Sequence, residues 1–168
     1  MEEGQNTPRD YFYRTELERF RVKVGVFLFL VREEKILLLR RSQTGVEDGW
    51  YVVPMGGLKQ GETPTQALIR EAEEEANIIL SEGDVQLCHT MYRLHTQPDG
   101  YQFYQIDLFF RASTYQGEIK NMEPYKCDDL SFFDLKNLPE NTAPFIVHAL
   151  ECLKENKIFS EFGFKKRK

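Results

Sequence analysis

Hydrophobic and polar positions along the chain alternate in blocks that predict the elements. "RFRVKVGVFLFLVR" at 19–32 and "EEKILLLRR" at 33–41 are dominated by β-branched and aromatic or other apolar residues, and read as two strands around a short turn at Glu33 and Glu34. "WYVVPMGG" at 50–57 predicts a short strand ended by Pro54 and the glycines. A strand near 85–96 and another in "YQFYQIDLFFRAS" at 101–113 flank "QPDG", where Gly100 is free to take positive φ, so the two predict a hairpin. A loop at 115–129 precedes a short strand, "LSFFDL". "ENTAPFIVHALECLKEN" at 140–156 predicts a closing helix, capped by Thr142 or Asn141 and with a proline in its first turn. Strands first, one helix in the middle and one at the end predict a mixed sheet with helices packed on it, not an alternating βαβ array.

The middle helix carries an unusual pattern. In "ETPTQ", Thr63 is a good N-cap, Pro64 suits the first helical position and Gln66 completes a capping box, so the helix starts near Pro64. It should stop near Asn77, a residue that tolerates the left-handed conformation ending many helices. At about 100° per residue, Pro64, Ala67 and Leu68 share a stripe that continues as Glu71, Glu74, Glu75 and Ile78. Ile69, Ala72 and Ala76 lie on a flank that can also be covered, whereas Glu73 points to solvent. An exposed acidic face is the ordinary meaning of such a run. Here the acids continue an apolar stripe and oppose the macrodipole, and carboxylates ~4 Å apart would repel by about 4 kcal/mol at an effective dielectric near 20. Either some are protonated or a cation sits among them. Oxygen donors without a cysteine or histidine cluster suit Mg²⁺, with Mn²⁺ as an alternative, and Gly56 and Gly57 just before the helix permit close backbone approach to a metal or phosphate.

Composition narrows the setting. The 168 residues suit one domain spanning 1–168, with about 1–18 as an N-terminal extension and 160–168 as a basic tail ending in "KKRK". A net charge of -5 argues against broad electrostatic binding to nucleic acid or anionic membrane. "MEEGQNTPRD" lacks the features of a signal peptide, and "VGVFLFLV" at 24–31 is far short of the ~20 apolar residues a membrane helix needs, so a cytoplasmic protein is expected. Cys88, Cys127 and Cys152 are widely spaced and read as reduced packing residues.

The segment from Gly56 to Ile78 resembles the signature of the Nudix hydrolases. Gly56, Glu62, Arg70, Glu71, Glu74, Glu75 and Ile78 stand at the required spacings, with Asn77 where the family has glycine and Ala72 where a bulkier aliphatic is typical. The resemblance implies an α/β (α+β) fold, a Nudix-type α/β/α sandwich with a mixed β-sheet. It implies metal binding by Glu71, Glu74 and Glu75 with the Gly56 carbonyl, a positioning role for Arg70, and assistance from Glu62. The base would be Glu71 or Glu74 in preference to Glu123. The reaction implied is attack of water on a phosphoanhydride, with divalent ions lowering the water's pKa and screening charge.

Substrate choice rests on residues outside the signature. "LLLRRSQTGVEDGWYVVPMGG" resembles the corresponding stretch of MutT-type members, where Arg41 occupies the place of a phosphate-contacting arginine. Trp50, Tyr92, Phe103 and Phe132 are candidates for stacking a base, each with a core role as its alternative. Asn121, Asp128 and Asp129 could read a base edge, and Glu123 could reach the metal site. His89 could serve as a base or as a hydrogen-bonded structural residue; His95 and His148 carry no signal. The patterns of the coenzyme A and ADP-ribose branches are missing, which favours a small-molecule nucleotide, either a standard or oxidised nucleoside triphosphate or a nucleotide sugar. A nucleotide-sensing module without turnover stays open, as does a homodimer; RNA decapping is disfavoured by the acidic charge.

Overall fold

The computed structural model describes residues 19–97 and 100–165; the proposed N-terminal extension at 1–18 and residues 166–168 of the KKRK tail lie outside them. Strands β1 (Lys23–Phe29), β5 (Met55–Gly57), β6 (Val85–Thr96), β7 (Gln102–Ala112) and β9 (Phe159–Phe162) form a mixed sheet in the order β5-β1-β7-β6-β9, with β1·β7 and β6·β9 parallel. Strands β2 (Val31–Arg32), β3 (Lys35–Arg41), β4 (Tyr51–Val52) and β8 (Cys127–Asp134) form a smaller antiparallel sheet. Two helices, α1 (Pro64–Ala76) and α2 (Pro144–Lys154), cover the larger sheet.

That sheet is buried on both sides, which is why β1 reads as an unbroken apolar run. Phe27, Phe29, Met91 and Phe109 face Phe145, Ile146 and Ala149 of α2 together with Ile36, Leu38 and Val52 of the smaller sheet. Val26, Leu28 and Phe110 face Ala67, Leu68, Ala72 and Ala76 of α1. The helix–sheet–helix layering implied by the resemblance is therefore present, with a second sheet inserted beside α2.

The hairpin β6–β7 forms as expected, Gly100 taking φ 87°. Five details differ from the sequence expectation. The run at 19–32 divides at Leu30, because β1 pairs with β5 and β7 while β2 turns back on β3 through Glu33 and Glu34, both left-handed. "WYVVPMGG" likewise divides: β4 joins one sheet and β5, with the glycines inside it, joins the other, Pro54 accepting a bond from the Leu28 N–H at 2.9 Å. Neither Thr142 nor Asn141 caps α2, whose N-cap is Ala143; Thr142 donates to the Pro139 carbonyl at 2.7 Å and Asn141 to the Gly49 carbonyl at 2.6 Å, while backbone bonds of Asn141 and Ala143 with Tyr51 tie this segment to β4. β8 begins at Cys127, shortening the expected loop, and β9 brings Ser160–Phe162 of the presumed tail into the sheet. Among the described residues no helix is long and apolar enough to cross a membrane.

Candidate active site

Helix α1 begins where its local chemistry dictates. The Thr63 hydroxyl accepts from the Gln66 N–H at 3.2 Å, the Gln66 side chain accepts from the Thr63 N–H at 3.0 Å, and Asn77 closes the helix at φ 54°. With both ends set, Ala67, Leu68, Ala72 and Ala76 are held against the sheet, and Glu71, Glu74 and Glu75 are carried to the edge of that contact, beside β5.

Arg70 organises this edge. Its guanidinium grips Glu62 with two bonds, Nε at 2.7 Å and NH2 at 2.9 Å, reaches Glu71 at 2.5 Å and Glu74 at 3.1 Å, and donates to the Gly57 carbonyl at 3.1 Å. The fork geometry suits arginine and no other side chain. Hydrogen bonds from Arg70 and from the Lys59 N–H hold the Glu62 carboxyl down, at about 2. Burial pushes Glu71 up against the opposing pull of Arg70. Glu75 sits deepest: burial lifts its carboxyl to about 8, although it accepts the Met55 N–H at 2.9 Å. Gly56 is required by its neighbour, since a Cβ there would lie 2.0 Å from Cδ of Glu71.

Glu71, Glu74, Glu75 and Glu123 line one cleft of about 570 Å³, with Arg41, Lys59, Arg70 and Lys126 interleaved. Among the described residues no three histidine, cysteine, aspartate or glutamate side chains already converge as a metal cage, because each of these acids is turned to a partner in the protein. The donors nonetheless fit a hard divalent cation: they are oxygens, they share a cleft, and the glycine at 56 leaves room for the Glu71 carboxyl that a side chain would displace.

A second cleft of about 590 Å³ adjoins the first, sharing Arg41 and Met55 with it and running along Gly56 and Gly57. Arg41 forms the partition. Its Nε donates to the Val46 carbonyl at 2.8 Å and its NH2 to the Thr44 hydroxyl at 3.0 Å, which shapes the loop at 42–50. Glu47, left-handed at φ 56°, reaches from that loop to within 3.4 Å of both Arg93 and His95. Arg93 is buried, donates to Asp107 at 2.6 Å and lies 3.9 Å over the Phe145 ring. Phe103 stacks on His95 at 4.7 Å, with Lys23 4.2 Å from its ring centroid.

Of the sequence candidates, Glu62, Arg70, Glu71 and Glu74 interact directly, Glu75 and Glu123 join them in the cleft, Gly56 lies against Glu71, and Arg41 stands at its border. Trp50 lines neither cleft. Tyr92 points to the opposite face of β6 from Arg93 and stacks instead on Phe164 at 5.2 Å. Phe132 packs with the α1 core, Asp128 pairs with Arg40 at 2.7 Å, and Asp129 accepts from Tyr51 and Ser131. Asn121 braces its own turn, donating to the Cys127 carbonyl at 2.7 Å and accepting from the Glu123 N–H at 3.0 Å. His89 is buried between the Lys157 carbonyl and Ser160, the structural alternative. Glu47, Arg93, His95, Lys59 and Lys126 went unsignalled, because nothing in their local sequence marks a residue that meets the clefts only through the pairing of distant segments.

Similarity to known proteins agrees with this geometry. Residues 19–151 match the model of the NUDIX domain. An ADP-ribose pyrophosphatase from Methanocaldococcus jannaschii is 26% identical over 142 residues, covering 82% of this chain and 79% of that protein. An RNA pyrophosphohydrolase from Saccharophagus degradans is 34% identical over 70 residues, 42% of this chain and 39% of that one. The crystal structure of a MutT NUDIX hydrolase from Burkholderia pseudomallei superposes with a TM-score of 0.69 at 28% identity, covering 79% of this chain and 98% of that chain. With the signature residues gathered on α1 and the family model spanning most of the sequence, the chain belongs to the Nudix hydrolases.

Proposed function

We propose that this Nudix hydrolase is a Mg²⁺-dependent pyrophosphohydrolase of the cytoplasm, one domain acting on a nucleoside diphosphate linked to a further group, with a standard or oxidised nucleoside triphosphate as the substrate. The observation that carries the reading is the pair of joined clefts: a carboxylate cleft on α1 suited to cation-bridged phosphates opens, past Arg41 and Gly56–Gly57, into one containing Glu47, Arg93, His95 and Phe103. Polyphosphate and nucleoside then occupy adjoining spaces whose chemistry differs as theirs does.

Glu71, Glu74 and Glu75, with the Gly56 carbonyl, would hold the divalent ions, which supply charge neutralisation at the phosphates and a lowered pKa for the attacking water. Arg70 gathers Glu62, Glu71 and Glu74 at one edge, so the ligand acids would reach the ions by turning their carboxyl ends while α1 stays in place. Glu74 is the most exposed of the ligand acids and keeps the longest of the Arg70–carboxylate bonds, so it is the acid freest to take the proton of the attacking water. Arg41, held by the loop it supports, meets the phosphates at the partition between the clefts.

The test is Mg²⁺-dependent product release from a panel of standard and oxidised nucleoside triphosphates, nucleotide sugars, ADP-ribose and dinucleoside polyphosphates. Release from nucleoside triphosphates that stops with chelator supports the reading; binding without turnover would make the chain a nucleotide sensor. A second reading, hydrolysis of ADP-ribose, is favoured by the similarity to the Methanocaldococcus jannaschii protein. Selective turnover of ADP-ribose would establish it in place of the triphosphate.

A further inference from the structure

The turn at 121–127 brings a cation to the carboxylate cleft. It is braced internally by Asn121 and anchored to the end of α1, the Met122 N–H bonding the Glu75 carbonyl and the Lys120 N–H the Ala76 carbonyl, both at 3.1 Å. The turn and the acidic helix therefore hold a fixed relation. From it, Lys126 reaches Oε1 of Glu123 at 2.8 Å, and the Tyr125 hydroxyl donates to the same oxygen at 3.0 Å. Glu123 is only 18% exposed, whereas Lys126 is 49% exposed on a long flexible stem. Both line the cleft with Glu71, Glu74 and Glu75.

A surface pair at i,i+3 is ordinarily worth little. This one is differently placed, because the ammonium is bonded to a carboxylate that lines the same cleft as Glu75, the deepest acid there, and whose charge Glu75 feels. The ammonium also feels the charge of Glu75. Oε1 of Glu123, which accepts from an ammonium and a phenol, is not free for a hard divalent ion, and a dication on either oxygen of this carboxylate would repel Nζ.

We infer that Lys126 and the divalent ion compete for Glu123, and that the ammonium released by this exchange becomes a binding group for the substrate's phosphates. Lys126 is thus a substrate-positioning residue whose contact depends on metal loading. The exchange keeps the cleft near charge balance at each stage: ammonium against carboxylate first, then dication against carboxylate and ammonium against phosphate. No covalent bond is made or broken.

This presupposes that the cleft takes nucleotide phosphates, so the test is read by binding and not by turnover. Mn²⁺ affinity of the full chain, followed by the electron paramagnetic resonance of free Mn²⁺, is compared in wild type, K126M, K126R and E123Q. K126M should bind Mn²⁺ about threefold to tenfold more tightly, K126R should match wild type, and K126M should have no such effect in the E123Q background. With Mn²⁺ present, K126M should bind a methylene-bridged nucleoside triphosphate at least fivefold more weakly, with the nucleoside monophosphate little changed. Unchanged or weaker Mn²⁺ binding by K126M, additivity with E123Q, or unaltered affinity for the analogue overturns the exchange. A wild type that binds the analogue but hydrolyses no nucleotide refutes the hydrolase reading and leaves the exchange to be decided by these affinities.

Discussion

Replacing Gly56 by alanine separates the site from the fold. The added Cβ would lie 2.0 Å from Cδ of Glu71 and 2.2 and 2.4 Å from its two oxygens, where ordinary carbon contacts begin near 3.5 Å. The carboxyl group must therefore retreat by roughly 1.5 Å, and it can, being the far end of a flexible side chain. The retreat costs about 0.5–1.5 kcal/mol in rotamer energy and about 1–2 kcal/mol for the lost bond to Arg70, offset by about 0.4–1 kcal/mol from the stiffer unfolded chain. A net loss of about 0.5–3 kcal/mol should lower Tm by about 1–12 °C in a chain of this size. Activity should suffer far more, because a displacement of ~1 Å at a positioned catalytic group costs roughly a hundredfold. Thermal melts and Mg²⁺-dependent turnover of the same preparations measure both. Gly57→Ala, whose Cβ meets nothing within 4 Å, is the companion variant and should keep at least ten times the activity of Gly56→Ala. Wild-type turnover in Gly56→Ala would refute the tie between Gly56 and Glu71, and global unfolding would refute the claim that Glu71 alone absorbs the collision.

Glu74→Gln should remove most of the turnover, about a hundredfold or more, with Tm little changed, since this side chain is half exposed; wild-type rates would sink its assignment. Arg70→Lys should lower activity at least tenfold because an ammonium cannot span Glu62, Glu71 and Glu74 together, and a crystal structure of the variant should show Glu62 released. With chelator present, the raised Glu75 carboxyl makes the folded state bind a proton that the unfolded state has lost, so its contribution is complete below about pH 4.5 and disappears as pH rises through about 8. Glu75→Gln should abolish that decline, and denaturation midpoints with equal pH slopes in both proteins would contradict it. Glu62 has the opposite sign: its contribution is present above about pH 4.5 and lost as pH falls through about 2, so Glu62→Gln should flatten the acid limb of the same curve.

Helix α1 was legible almost to the residue because its determinants are local. Thr63, Pro64 and Gln66 start it, Asn77 ends it, and the stripe from Ala67 to Glu75 declares its buried and charged parts within three turns. Strand membership was less so. Periodicity marks 19–32 as extended, but whether Phe29 and Val31 belong to one sheet or two depends on partners near residues 36, 56 and 110, which no local pattern reports. Thr142 and Asn141 misled for a related reason: residues that cap helices well also tie loops well, and here Asn141 bonds the Gly49 carbonyl and Thr142 the Pro139 carbonyl. Tyr92 illustrates the limit for the site. An aromatic on a strand faces one of two sides, and a shift of one position puts it across the sheet from the clefts.

The partition at Arg41 has an evolutionary reading. Under the proposed function, the acids assigned to the metal sit on the segment from Gly56 to Glu75, while the second cleft is furnished by the 42–50 loop and the strand ends near Arg93 and Phe103. The proposed metal site and the proposed nucleoside site thus draw on separate stretches of chain that meet at Arg41. On that reading, replacements in the loop would redirect nucleoside selection without touching the helix, which leaves substrate range open to evolutionary change while the reaction stays the same.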